Sequence, residues 1–209
     1  MKRINLLIYC FVFIAVSFMQ HLTVSANELS SAKPLVEHSI DVGPINGVST
    51  EPLKFTFKER NYGKGLLLTN IKKSKKELLP EEKFILEMHE VIRKGSKDEY
   101  IALWHPSEKA YITKFYLENK GVWSRFKELE QNLTDKKIIS FFYYKKYIKV
   151  VSVAFPNKGE PYPDFQPTLV RQNNRLYITN SLSGDGGSNY ISFVHAINIL
   201  KKLGYIQVN

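Results

Sequence analysis

The chain has 209 residues, with 30 Lys or Arg against 20 Asp or Glu, a formal charge of +10, and 44% hydrophobic residues. Its one cysteine, Cys10, excludes a disulfide framework, a cysteine pair and a thiolate zinc site. The fold must therefore rest on an ordinary hydrophobic core, which this length allows.

In chain order, Lys2 and Arg3 make a short positive start. Residues 6–19 are almost wholly apolar and uncharged, and Val24 and Ala26 have the small-residue pattern of a signal peptidase site. The apolar run is shorter than the ~20 residues needed to span a bilayer. Residues 1–26 are read as a secretory signal peptide, cleaved between Ala26 and Asn27. No later segment is long and apolar enough to span a membrane. The expected location is the periplasm or the exterior. Cleavage takes Lys2 and Arg3 from the 30 basic residues and leaves 28 against 20 acidic ones, a formal +8 on 183 residues. On an exported protein that excess suits anionic lipid, a cell-envelope polymer or an acidic protein partner better than nucleic acid. Solubility alone also accounts for it.

Residues 27–50 are rich in Ser, Gly and Pro and are expected to form a flexible leader, with a single α+β domain over 51–209. Leu53, Phe55 and Phe57 alternate with Lys54, Thr56 and Lys58, the pattern of a half-buried strand. "NYGKG" reads as a turn and "LLLTNI" as a partner strand. "KKSKKE", Lys72 to Glu77, reads as a solvated basic loop.

Helical signals follow. Pro80 stands at a first-turn position with Glu81 and Glu82 behind it, and Phe84, Ile85, Met88, Val91 and Ile92 share a face. Gly95 marks the end. Ser96 and Glu99 form a capping box for a short helix that Pro106 stops at His105. Another helix places Tyr111 and Phe115 one turn apart. After Gly121 a further helix carries Trp123, Phe126, Leu129 and Leu133.

From Thr134 the period becomes two. Lys136 to Phe155 is β-branched and aromatic and too long for one ordinary strand, so it either folds at Lys145-Lys146 or bends. A proline-rich loop and a hairpin turning at Asn173-Asn174 come next. Phe193, Ala196, Ile197, Leu200 and Leu203 make the stripe of a last helix, stopped by Gly204. Helices segregated from later strands mean α+β, with N-terminal helices on a curved, mostly antiparallel sheet and a C-terminal helix.

"PEEKFILEMHEVIRKGSKDEYIALW", "GVWSRFKELEQNL" and the strands through Leu182 resemble the nuclear transport factor two-like superfamily of cone-shaped α+β domains. The resemblance covers Pro80 to Leu182 and rests on element order and a few aromatics. It implies helices wrapped in a curved sheet, with an apolar pocket at the mouth. The strands before Pro80 and the helix after Ser188 depart from the plain pattern.

Signatures of chemistry are sparse. "HEVIR", His89 to Arg93, opens like the zinc-protease pattern HExxH, but Arg93 stands where the second ligand belongs. His38, His89, His105 and His195 form no pair at ligand spacing, so no metal and no cofactor are expected. No G-x-S-x-G elbow surrounds Ser183. His105, Asp164 and Asp185 are polar residues of the kind that cone-fold isomerases use as acids and bases, and solvent-exposed loop residues have the same look. "SLSGDGGSNY", Ser181 to Tyr190, lacks the lysine of a Walker loop and the spacing of a dinucleotide loop. It reads as a tight turn with Ser188 capping the last helix, where an exposed N-terminus can hold an anion. "NLT", Asn132 to Thr134, is a glycosylation sequon that counts only in a eukaryotic secretory pathway.

The expectation is an exported, non-catalytic binding module for a small apolar ligand, an envelope polymer or a protein. Trp104, His105, Tyr143, Tyr147 and Asp185 are the candidate contacts. One alternative is a cone-fold lyase or isomerase acting on a small apolar substrate. The other is an exported inhibitor or immunity-type protein that binds an acidic partner.

Overall fold

Six antiparallel strands, β1 (Val36–Val42), β2 (Leu53–Leu67), β3 (Leu133–Tyr144), β4 (Tyr147–Pro156), β5 (Tyr162–Gln172) and β6 (Arg175–Thr179), lie side by side in chain order. Between β2 and β3 the chain forms α1 (Leu68–Lys73), α2 (Pro80–Lys94), α3 (Lys97–Ala102), a 3-10 turn (Pro106–Glu108), α4 (Lys109–Glu118) and α5 (Val122–Gln131). This α+β arrangement is that of a computed structural model describing residues 34–42, 53–73, 77–180, 198 and 201–205. They belong to the second of two units in the chain, Lys33–Asn209. The first unit, with the expected signal peptide and its cleavage site, lies outside the described residues, as does the Ser181–Tyr190 turn with Asp185. Of the expected last helix, residues 198, 201 and 202 are described and helical. Among the described residues no helix is long and apolar enough to cross a membrane.

Local chemistry sets most boundaries. Pro80 occupies the first turn of α2, where its missing N–H costs nothing, and Glu82 Oε2 accepts from the Leu79 N–H at 2.9 Å. The capping box is complete. Ser96 N–H donates to Glu99 Oε2 at 2.6 Å, and Glu99 N–H donates to Ser96 Oγ at 3.2 Å. The long β-rich run folds at Lys145-Lys146, and Lys145 takes the left-handed φ of 53°. Asn173 and Asn174 do the same at φ 49° and 59° between β5 and β6.

Five expectations are corrected. The end of the proline-rich loop, from Tyr162, is already strand β5, paired with β4 through Asp164↔Ser152. Val36–Val42, read as leader, is strand β1, paired with β2 from Val36↔Glu59 to Val42↔Leu53. The turn residues of "NYGKG" do not end a strand. They form a bulge inside β2, where the register with β3 jumps between Asn61 and Leu66. Gly65 is required there: at φ 93° an added Cβ would lie 2.2 Å from Lys137 Cγ. "LLLTNI" is divided between the end of β2 and α1. Finally, Leu133 begins β3 and Leu129 is exposed, so the apolar stripe of α5 is carried by Trp123 and Phe126.

The core lies between the helices and one face of the sheet. Phe84, Ile85, Met88 and Ile92 of α2 meet Ile138 and Phe141 of β3, Ile148 and Val150 of β4, Leu169 of β5 and Ile178 of β6. Ile138 and Phe141 are three apart yet share this face, because β3 is bulged between Ile138 and Ser140. The opposite face is also buried at its centre, at Ile139, Phe142, Val151 and Val153.

Candidate functional site

Three polar residues stand on surfaces that helical and strand spacing make apolar. His89 lies one turn after Ile85 and shortly before Ile92 on α2. Glu130 lies four residues after Phe126 on α5. Lys136 lies two residues before Ile138 on β3. The fold brings them together. Glu130 Oε1 is 2.8 Å from His89 Nδ1, and Glu130 Oε2 is 2.8 Å from Lys136 Nζ. Lys136 Nζ also reaches Asp164 Oδ2 on β5 at 2.7 Å, and Asp164 is placed opposite Ser152 of β4. His89, Glu130 and Lys136 are all buried.

These charges offset one another. Burial alone would push the Glu130 carboxyl up, but the His89 hydrogen bond and the Lys136 ammonium outweigh it and hold the group at about 2. Burial, aided by the Lys136 charge, pushes His89 below the ordinary imidazole value. A neutral ring beside an ionised carboxylate has one tautomer open to it. Glu130 can only accept, so Nδ1 carries the hydrogen and Nε2 keeps its lone pair.

Buried His89, Glu130 and Lys136 line a cleft of about 80 Å³, together with Leu68, Leu86 and Leu133. Its mouth is lined by Thr69 and Lys72 of α1, Glu90 and Arg93 of α2, and Thr134 and Asp135 of β3. Lys72 pairs with Glu90 at 2.7 Å, and the Thr69 hydroxyl donates to Asp135. The Arg93 guanidinium has no carboxylate partner among the described residues.

A second polar cluster clamps the start of α2. Tyr143 Oη donates to Glu81, Tyr62 Oη donates to Glu82 Oε1 at 2.5 Å, and Arg171 Nη2 stands 3.6 Å from Glu81 Oε2. Burial first, and then the carboxylate each one serves, pushes both phenols above the ordinary tyrosine value. Both stay neutral donors, so the cluster ties α2 to β2, β3 and β5.

The contacts expected from the sequence are dispersed. Trp104 is buried in the core, edge-on to Tyr100. The next residue, His105, is held by Ser107 Oγ at 2.7 Å and Gln172 Oε1 at 2.6 Å, against the ring of Tyr177. Its backbone, with that of Leu103, caps the β6 edge through Ile178. Tyr143 packs on the helix side of the sheet. Tyr147 neighbours the core residue Ile148 in β4, and alternation turns it to the other face. Among the described candidates, then, Tyr143 and Tyr147 do not share a surface. His89, Glu130 and Lys136 were missed as cleft residues, although their signal was present: each of the three is a polar side chain in phase with an apolar stripe. Among the described residues no group of three His, Cys, Asp or Glu is arranged to hold a metal.

Comparison with protein-family models, with curated proteins and with solved structures finds no match.

Proposed function

We propose that this chain is an exported, non-catalytic binding module that grips a polar group of an envelope polymer in the cleft between α1, α2 and β3. The observation that supports this most is the cleft itself, a small concavity in which paired, buried polar side chains stand among leucines, with charges of both signs around them. Its volume of about 80 Å³ is far below the roughly 300–1,000 Å³ of pockets that enclose whole small molecules. That size suits one projecting group of a larger ligand. The formal +8 of residues 27–209 supplies long-range attraction to an anionic envelope, and the cleft supplies the contact. The apolar ligand raised as an expectation draws on Leu68, Leu86 and Leu133, which line the same cleft.

A cone-fold lyase or isomerase needs a buried acid or base facing an apolar cavity. His89 is buried and lines a cleft, but at about 80 Å³ that cleft is too small to enclose a substrate. The inhibitor reading draws on α4, where Tyr111 is 66% exposed and Phe115 39%, with Lys114 between them. An acidic partner with an apolar centre would fit that ridge.

Co-sedimentation of residues 27–209 with insoluble envelope glycan tests the proposal. Retention that survives high salt and is lost in Thr134→Trp, which blocks the cleft mouth, is the expected result. Retention unaffected by Thr134→Trp but lost in a Tyr111→Ser/Phe115→Ser variant would move the contact to α4. Retention abolished by salt alone would reduce the interaction to charge.

A further inference from the structure

We infer that His89 makes the cleft a reader of hydrogen-bond donors, so that the group it takes is a hydroxyl of a sugar or similar neutral polyol. This rests on the binding reading above and deepens it.

The inference follows from where each polar atom is already committed. Glu130 uses one oxygen for His89 Nδ1 and the other for Lys136, and Lys136 is shared with Asp164. The imidazole Nδ1–H is thereby consumed. Nε2 is left as a lone-pair acceptor with no hydrogen-bond partner among the described residues, on a ring that lines the cleft. Nε2 is not among the buried unpartnered atoms, so it is open to the cleft and available to a donor that comes in from outside.

The surrounding charges select the kind of donor. Lys72 faces the site from α1, Glu90 and Arg93 from α2, Glu130 from α5, Asp135 and Lys136 from β3, and Asp164 stands behind on β5. Three cations against four carboxylates leave no strong field of either sign. An anion would meet the Nε2 lone pair and two nearby carboxylates. An ammonium would meet Arg93, which has no carboxylate of its own among the described residues. A neutral hydroxyl meets neither obstacle. It donates to Nε2 and can accept from Arg93. Protonation of His89 turns Nε2 from acceptor to donor, so acid removes the recognition.

Long-range ¹⁵N–¹H correlation of the histidine rings in ¹⁵N-labelled 27–209, with glucose as the probe, tests this. At about pH 7.5 the neutral imidazole is expected in the Nδ1–H tautomer. Glucose should shift Nε2 in a saturable way, and His89→Phe should weaken the midpoint about tenfold, the loss of one hydrogen bond. His89→Gln, which keeps an acceptor, should recover part of that loss, with backbone spectra of both variants checking the fold. An Nε2–H tautomer overturns the inference. So do phosphate or methylammonium shifting Nε2 where glucose does not. Saturable shifts at Thr134 and Asp135 that leave Nε2 unmoved overturn it while the binding reading stands. No saturable shift anywhere in the cleft overturns both. A soluble oligomer of the envelope glycan, titrated in parallel, binds more tightly than glucose if the hydroxyl belongs to a polymer, and no more tightly if it belongs to a free sugar.

Discussion

His89, Glu130 and Lys136 show how a buried charge is tolerated. Each is placed by a different element, and each has its charge or its hydrogen met by another. Removing one partner strands the rest, so Glu130→Ala should cost about 3 kcal/mol, read as a fall in the urea midpoint at neutral pH. The pH dependence has a definite sign. His89 is depressed below its ordinary 6.5, so the unfolded chain takes up that proton first. Its contribution is whole above about pH 6.5 and is lost as the pH falls from there. Glu130 is held at about 2 against an ordinary 4.5, so its contribution is whole above 4.5 and lost between 4.5 and 2. Both act in one direction, and stability should decline steadily on acidification. In His89→Gln the part of the decline that begins just below about pH 6.5 should flatten. An unchanged slope there would show that His89 is not the titrating group. At this scale the sequence was legible only in part. The spacing of the apolar residues around them carries the signal that these three positions face inward, but that signal was missed, and the partner of each is fixed by contacts up to 41 residues away along the chain, as for His89 and Glu130.

At the scale of elements, caps and turns were the most legible features, because their chemistry is complete within four or five residues. Ser96 with Glu99, Pro80, Lys145-Lys146 and Asn173-Asn174 all act where the sequence placed them. "NYGKG" was misread for an instructive reason. Glycines with left-handed φ mark both turns and bulges, and only the partner strand decides which. β3 continues alongside β2 past Ser140, so the extra residues are absorbed and the strand resumes at Leu66. Gly65→Ala should therefore destabilise by about 1–3 kcal/mol, because it adds a strained φ and collides with Lys137. Ser96→Ala should cost about 1 kcal/mol. Thermal melts of the two variants give the comparison, and a Gly65→Ala variant as stable as the parent would show that the bulge tolerates a side chain. The exposure of Tyr111 and Phe115 has a similar origin. A three-four spacing identifies a shared helix face but not its direction, and α4 turns Ile112 and Tyr116 inward instead.

For the whole molecule, export is the proposal with the most direct test. Expressed with its own first residues in a secreting host, the chain should be recovered outside the cytoplasm beginning at Asn27, as N-terminal sequencing would show. Recovery of the intact 209 residues in the membrane fraction would replace the signal peptide with an anchor. Composition and periodicity determined by themselves that the chain needs an ordinary core without disulfides, that it is α+β with an antiparallel sheet, and where the helices from Pro80 to Gln131 and the two later hairpin turns fall. Those properties depend on neighbours close in sequence and on the alternation of apolar and polar residues. Only the tertiary structure decided that β1 joins the sheet, that the turn before Leu66 is a bulge, and that Tyr143 serves as a clamp on Glu81. It also decided that His89, Glu130, Lys136 and Asp164 form one network beneath a cleft. The reason is that desolvation makes a buried polar group depend on its partner, and the identity of that partner is set by the packing of distant elements rather than by any local pattern.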